Sequence, residues 1–371
     1  MPNTRPRATF DKEGVCNACR YREKLKKVDW KQREKEFREL LKKNKSKSPM
    51  GYDCVVPGSC GKDSTYVTYR LKNDYGLRPL AVTVAPYLYT DVGRKNVENF
   101  QKIGVDHIVF NINQHVVKKL AKKMFINYGD PFIPWVNAIH ALPARIAMAA
   151  KIPLVIMGEI GEAMYGGTTE RDDTTEITPE HVKKFAVTGD AKDWKSPENW
   201  ADDEISRSDL LPYIFPSTEE LKGAGVTVTN FGGYYHPWDG YENYKFIKEK
   251  IGLNEVEERS EGTYTNYASM DDKIDATYLY FMPLKYGFGR ATKDACEDIW
   301  AGRLTREETI PLIKKYDTEF PWKYHKDVMN FLGMTQKEFM AVLERFRNKE
   351  IWEIRDGEWK LKHPIWEEAK K

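Results

Sequence analysis

From residue 52 onward, short apolar runs alternate with longer amphipathic stretches. The pattern predicts strands over 52–57, 79–84, 106–110 and 153–157, and helices over 63–75, 91–104, 114–127 and 137–151. Strands that alternate with helices of this length build a parallel sheet, because each helix carries the chain back across the sheet face. Ahead of them, Asp29-Trp30-Lys31-Gln32 resembles a capping box opening a helix that carries Trp30, Phe37, Leu40 and Leu41, and the Lys-rich end of that helix, 42–47, is expected as solvated linker. Residues 160–300 contain long irregular stretches rich in aromatic, glycine and charged residues, and 303–371 return to helical patterns, with Thr305-Arg-Glu-Glu308 as a capping box and amphipathic spacing at 335–347. The expected class is therefore α/β, divided into an N-terminal extension (1–50), a parallel-sheet domain (51–190) and an irregular and helical C-terminal region (191–371).

The most informative segment is Val55-Val56-Pro57-Gly58-Ser59-Cys60-Gly61-Lys62-Asp63-Ser64, where an apolar strand enters a small-residue turn and then a polar helix start. Unpaired N–H groups in such a turn point at a common centre, and the positive end of the following helix dipole adds attraction for an anion. Lys62 adds a mobile cation. Open parallel sheets bind ligands outside the carboxyl ends of their strands, so the loops at 57–64, 85–90 and 158–170 are expected to gather there.

Gly58 and Gly61 have the wrong separation for a Walker loop. The segment instead resembles the PP-loop of the ATP pyrophosphatase superfamily, usually S-G-G-x-D-S, through Ser59, Gly61, Asp63 and Ser64. That resemblance implies a Rossmann-like, adenine nucleotide α-hydrolase-like domain that cleaves ATP between its α and β phosphates. Cys60 stands where the family usually has Gly. Some relatives, the phosphoadenylyl-sulfate reductases among them, tolerate a bulkier residue there, and a positive φ at this position would make its Cβ unfavourable. A second reading treats Cys60 as the nucleophile of a strand–turn–helix elbow, although Lys62 occupies the position where that elbow wants Gly.

The mixed distribution of 59 basic and 56 acidic residues gives no broad field favouring nucleic acid. No apolar run approaches the ~20 residues of a bilayer span, and the polar N-terminus lacks a hydrophobic signal region, so a cytoplasmic protein is expected. Five cysteines, two of them in the C-x-x-C of Cys16 and Cys19, suit a reduced compartment without disulfides. That pair is half of a four-cysteine zinc site; the alternative is two ordinary thiols.

Beyond the PP-loop, nearly the whole chain resembles the N-acetyl sugar amidotransferases of bacterial and archaeal surface-glycan pathways. The resemblance rests on Met1 to Cys19, Gly51 to Pro57, Gly104-Val-Asp-His-Ile108, Gly158-Glu159, Tyr165-Gly-Gly167 and Tyr286-Gly-Phe-Gly-Arg-Ala-Thr292. It implies conversion of an acetamido group on a nucleotide-activated sugar to an acetamidino group, with ATP as a reactant, Mg²⁺ as cofactor and glutamine as the ultimate nitrogen source. The ammonia would come from a separate glutaminase subunit, since position 2 is Pro and the chain lacks an N-terminal nucleophile. On this resemblance Ser59, Cys60, Gly61, Asp63 and Ser64 cradle pyrophosphate and Lys62 neutralises developing charge, so Lys62, Asp63 and Ser64 are the catalytic candidates. Asp63 and Glu159 hold Mg²⁺, and Val84 and Ala85 lie where relatives hold adenine. Tyr165, Gly166, Gly167, Arg171, His236, Trp238 and Arg290 are the candidates for contacting the sugar nucleotide, because aromatics stack on sugar or base and Arg grips phosphate or carboxylate; an aromatic loop core accounts for His236 and Trp238 as well. Relatives often carry a further cysteine pair just ahead of the Met1 segment, which would complete a Zn²⁺ site with Cys16 and Cys19. Two alternatives stand beside this reading: a PP-loop enzyme that modifies tRNA, and a degenerate PP-loop protein that binds nucleotide or scaffolds without turnover.

Overall fold

The computed structural model describes residues 1–46, 48–170, 173–185 and 196–367. Its centre is a five-stranded parallel sheet of β1 (Cys54–Pro57), β2 (Pro79–Val84), β3 (Asp106–Phe110), β4 (Leu154–Glu159) and β5 (Thr227–Gly232). The spatial order is β3-β2-β1-β4-β5, so the strand order reverses between β1 and β4. The α/β class and the helical C-terminal region agree with the sequence pattern.

Both faces of the sheet are covered at β1 and β2, while edge strand β3 leaves Ile108 and Phe110 exposed, and the alternation along β1 shows how the cover is made. Cys54 and Val56 pack with Val67 and Leu71 of the helix Lys62–Asn73, whereas Val55 packs with Ala144 and Ala147 of the helix Ile133–Ala149. Burial on both faces explains why these strands read as continuous apolar runs. The helix Ile133–Ala149 begins four residues before the expected 137, because Pro134 falls in the first turn, where its missing N–H costs nothing. The stretch expected as a helix over 91–104 is the helix Asp91–Phe100 and a 3₁₀ turn, ended by Gly104 at φ +73°.

Strand β5 arises from a stretch read as irregular. Its sequence, Thr-Val-Thr-Asn-Phe-Gly, is interrupted by polar residues, and it lies at the sheet edge, where the segment around Thr175 and Ile177 caps it through Asn230 N–H to Thr175 C=O (3.0 Å) and Ile177 N–H to Val228 C=O (2.8 Å). Covering an edge in this way removes a template for unwanted strand pairing.

A second core joins the helix Gln114–Tyr128 to the C-terminal helices, with Phe125 between Phe281 and Phe339. The capping box at Thr305 and Glu308 forms, and Thr335 with Glu338 forms another. Asp29 caps its helix through Lys31 and Gln32 N–H, but the Gln32 side chain turns to Glu36, leaving that box half made. The helical reading of 303–371 needs one correction: Trp352–Arg355 and Glu358–Leu361 form an antiparallel hairpin, β6 and β7. Its turn is Asp356-Gly357 with both φ positive (57° and 79°), the pair that matches strand twist in a tight hairpin.

Candidate active site

The β1 turn and the end of β4 meet where the strand order reverses, the position at which open parallel sheets bind ligands. Gly61 is the N-cap of the helix Lys62–Asn73, so its first N–H groups face the turn. Gly58 admits the close packing of this turn: a Cβ there would lie 2.0 Å from the Ser64 Cβ. The Gly58 carbonyl accepts a hydrogen bond from Thr83 Oγ1 at 2.6 Å, which ties the turn to β2.

Cys60 has φ +64°, the left-handed conformation that the sequence reading flagged as unfavourable for a Cβ. Its thiol points inward, 3.6 Å from Thr83 Oγ1 and 3.9 Å from His107 Nε2, and burial pushes it up to about 12. A buried thiol with so little thiolate is a poor nucleophile, which opposes the elbow reading.

Lys62 pairs with the neighbouring Asp63 carboxylate, whose other oxygen accepts from Asn243 Nδ2 at 3.3 Å. Burial opposes the Lys62 charge, yet Asp63 raises its pKa overall. Glu159 at the end of β4 is raised by burial first and then by the Asp63 charge, and the Tyr165 hydroxyl partly offsets this by donating to it. Two hard oxygen donors set this close to the phosphate-type turn suit Mg²⁺. Among the described residues, no group of three or more His, Cys, Asp or Glu is arranged to hold a metal, so most of the coordination sphere of such an ion would come from elsewhere.

A cavity of about 570 Å³ opens over this turn, with Ser59, Lys62, Asp63, Glu159, Tyr165 and Arg290 in its walls. All six belong to the expected set: five stand on two loops, and Arg290 is brought in from the C-terminal region. The Tyr286-Gly-Phe-Gly segment places it: Gly287 ends one helix at φ +74°, and Gly289 opens the next so tightly that a Cβ would meet the Asp317 carbonyl at 2.2 Å. Asp317 caps this start through Gly289 and Thr292 N–H, both at 2.7 Å. Arg290 is fixed by Asp294 at 2.9 Å, and although burial opposes its charge that carboxylate raises its pKa.

Gly166 and Gly167 act in support of this site. Gly166 has φ +86°, and a Cβ on Gly167 would fall 1.4 Å from Glu162 Oε1. Glu162 is gripped by Arg5 at 3.1 Å and Arg7 at 2.7 Å, which fastens the N-terminal segment against the cavity. Val84 and Ala85 are buried, with the Val84 carbonyl accepting from Trp135 Nε1 (3.3 Å) and Ala85 N–H donating to the Phe110 carbonyl (3.0 Å). His236 lies away from the cavity, stacked on Phe231 at 5.0 Å and bonded to the Tyr66 hydroxyl at 2.7 Å, with its pKa lowered to about 4 by burial. Trp238 packs over Gly232 and lines a separate, smaller cavity. Arg171 lies outside the described residues.

Sequence reasoning missed Arg5, Lys293 and the carboxylates Asp271, Asp272 and Asp275, all in the large cavity's walls. Lys293 follows Arg290 by three positions on one helix, a spacing that puts both on one face, and its ammonium sits 4.1 Å from the Tyr165 ring centroid. Asp272 is structural, accepting from Leu88 and Ile274 N–H at 3.1 and 3.2 Å and from Tyr87 N–H. Asp271 bonds the Ser59 side chain, and Asp275 is pushed well up by burial and then by the two neighbouring carboxylates.

Cys16 and Cys19 are free thiols side by side; their mutual hydrogen bond pulls Cys16 down to about 5. The nearby thiols of the described residues do not close a metal site. Among the described residues, no helix is long and apolar enough to cross a membrane.

Fold and site together define a parallel α/β protein with an anion-suited turn at its switch point and a charged cavity completed by its C-terminal region. Residues 261–365 match the family model described as LPS biosynthesis protein WbpG-like, C-terminal domain. That similarity covers Arg290, Lys293 and the carboxylates at 271–275, and it supports a role in glycan biosynthesis. No curated protein matches the chain.

Proposed function

We propose that the chain is the synthetase subunit of an ATP-dependent, AMP-forming amidotransferase that converts the acetamido group of a sugar precursor of surface polysaccharide to an acetamidino group. The observation that carries this reading is the convergence of the Ser59–Ser64 turn, Glu159 and Arg290 on one cavity, with Arg290 supplied by the region similar to a lipopolysaccharide-biosynthesis domain.

An amide carbonyl is a weak electrophile and its oxygen a poor leaving group. In the proposed reaction that oxygen attacks the α-phosphorus of ATP and pyrophosphate departs. Ammonia then adds to the imidate carbon, and AMP leaves with the former amide oxygen. The helix start at Lys62 and the turn N–H groups bind the β and γ phosphates, while Lys62 neutralises charge on the pyrophosphate as it forms. Asp63 and Glu159 are the residues that would hold Mg²⁺, which supplies further neutralisation of the phosphates. Ammonia comes from a separate glutaminase, and adenine lies near Val84 and Ala85, although the Val84 carbonyl and the Ala85 N–H already have partners.

Oxygen-18 in the acetamido carbonyl tests the reading. The label should appear in AMP; label retained in the sugar, or released to water, rules out adenylation of that oxygen.

A further inference from the structure

Lys62 and Asp63 are neighbours on one helix, where successive side chains point about 100° apart. Their ion pair turns each toward the other, with Asp63 Oδ2 on the Lys62 ammonium. The proposed reaction asks different things of the two groups: the ammonium is needed by pyrophosphate and the carboxylate by Mg²⁺. An Asp63 held by Lys62 alone would lose its orientation whenever the ammonium turned to phosphate.

A second tether works against that loss. Asn243 Nδ2 donates to Asp63 Oδ1 at 3.3 Å, the oxygen that Lys62 leaves free. Asn243 is buried on the helix Gly240–Ile251, outside the walls of the large cavity, so it acts through that carboxylate. The first turn of this helix lies against Lys62 as well, since a Cβ on Gly240 would stand 3.3 Å from Lys62 Cε.

The helix start is itself fixed. Asp239 caps it through Tyr241 N–H at 2.9 Å and Glu242 N–H at 3.3 Å, and its other oxygen takes Arg303 at 2.7 Å. Arg303 also pairs with Asp298 at 2.6 Å, and Asp298 accepts from the Tyr264 hydroxyl at 2.6 Å. Tyr264, Asp298 and Arg303 all belong to the segment similar to the lipopolysaccharide-biosynthesis domain. That segment therefore reaches the β1 turn by a second route besides Arg290.

We propose that Asn243 is a positioning residue for the Lys62–Asp63 pair: it holds Asp63 Oδ1 so that Oδ2 is free for Mg²⁺ when Lys62 leaves it for the phosphates. The inference rests on the ATP-dependent reading of the site and adds a residue that the turn motif does not contain.

Isothermal titration of the full chain with α,β-methylene ATP, in Mg²⁺ and in EDTA, tests this. The natural protein should bind the analogue more tightly with Mg²⁺. Asn243→Leu keeps the branched shape and removes the donor. It should weaken binding in Mg²⁺ by about tenfold, the effect of one hydrogen bond to a charged group, and leave binding in EDTA unchanged. Arg303→Gln, a change remote from the turn, should weaken binding in Mg²⁺ alone and by less. A merely structural role would move both conditions together. Equal binding of the natural protein in Mg²⁺ and EDTA, equal losses in the two conditions, or no loss in either would overturn the inference. If Asn243→Leu does not fold, the Arg303 variant decides on the same terms. Failure of the analogue to bind the natural protein at all would overturn the inference together with the ATP-dependent reading. The predicted binding pattern without AMP formation from any acetamido sugar would remove the amidotransferase chemistry and leave Asn243 in its role.

Discussion

The hydroxyl of Tyr165 donates a hydrogen bond to Glu159, and the Lys293 ammonium covers the same ring at 4.1 Å. A carboxylate at a strand end is thereby held by a residue six positions later and roofed by one from the C-terminal region. Tyr165→Phe keeps the ring and its cation contact but frees Glu159. A hydrogen bond to a charged group is worth about 1.5–3 kcal/mol, so AMP formation is expected to fall by about tenfold or more, read as a loss in kcat.

Cys60 combines a left-handed backbone with a buried, protonated thiol. Cys60→Ala is therefore expected to retain ATP turnover, because the turn offers backbone groups and not a nucleophile. Cys60→Gly removes the strain of about 1–2 kcal/mol but also leaves the core contacts of a buried side chain unfilled, so its stability should change little. Steady-state assays of both variants with urea unfolding curves check this; inactivity of the alanine variant would revive the nucleophile reading, and turnover confined to the glycine variant would favour a natural chain that only binds nucleotide.

His236 carries a stability signature. Its folded pKa is lowered from 6.5 to about 4, by burial first and then by Arg70, with Glu34 opposing. Below pH 6.5 the unfolded chain takes up a proton that the folded protein refuses, so the contribution of His236 is full above 6.5 and drains away as pH falls toward 4. His236→Gln should flatten this part of the profile. Thermal melts across the window check it; identical pH dependence in the two proteins would contradict the buried neutral imidazole.

Glu162 answers two guanidinium groups, and Gly167 leaves the room for it. Removing one partner of a buried ion pair costs about 3–5 kcal/mol, so Glu162→Gln should lower unfolding free energy on that scale. Gly167→Ala should do the same by displacing the carboxylate. Loss confined to activity, with unchanged denaturant midpoints, would contradict a clamping role.

Most of the sheet was legible because β1, β2 and β4 are buried on both faces and therefore read as apolar runs between amphipathic helices. Strand β5 was not, because Thr229 and Asn230 break the run and its partner strand lies about seventy residues earlier. The β1 turn was visible through local residue order, since its chemistry is local. Arg5 and Lys293 were invisible as cavity residues: their place depends on how distant segments dock onto β4's end, and neither a lone Arg nor an i,i+3 Arg–Lys pair announces that. His236 looked functional by residue type in an aromatic loop, yet Phe231 and Tyr66 absorb it into the core.

The most direct measurement is phosphorus NMR of the products of ATP cleavage, with candidate acetamido sugar nucleotides and ammonium chloride in place of a glutaminase. The account predicts AMP and pyrophosphate, formed only when a matching sugar nucleotide is present. ADP with phosphate, or no cleavage with any sugar, would contradict it.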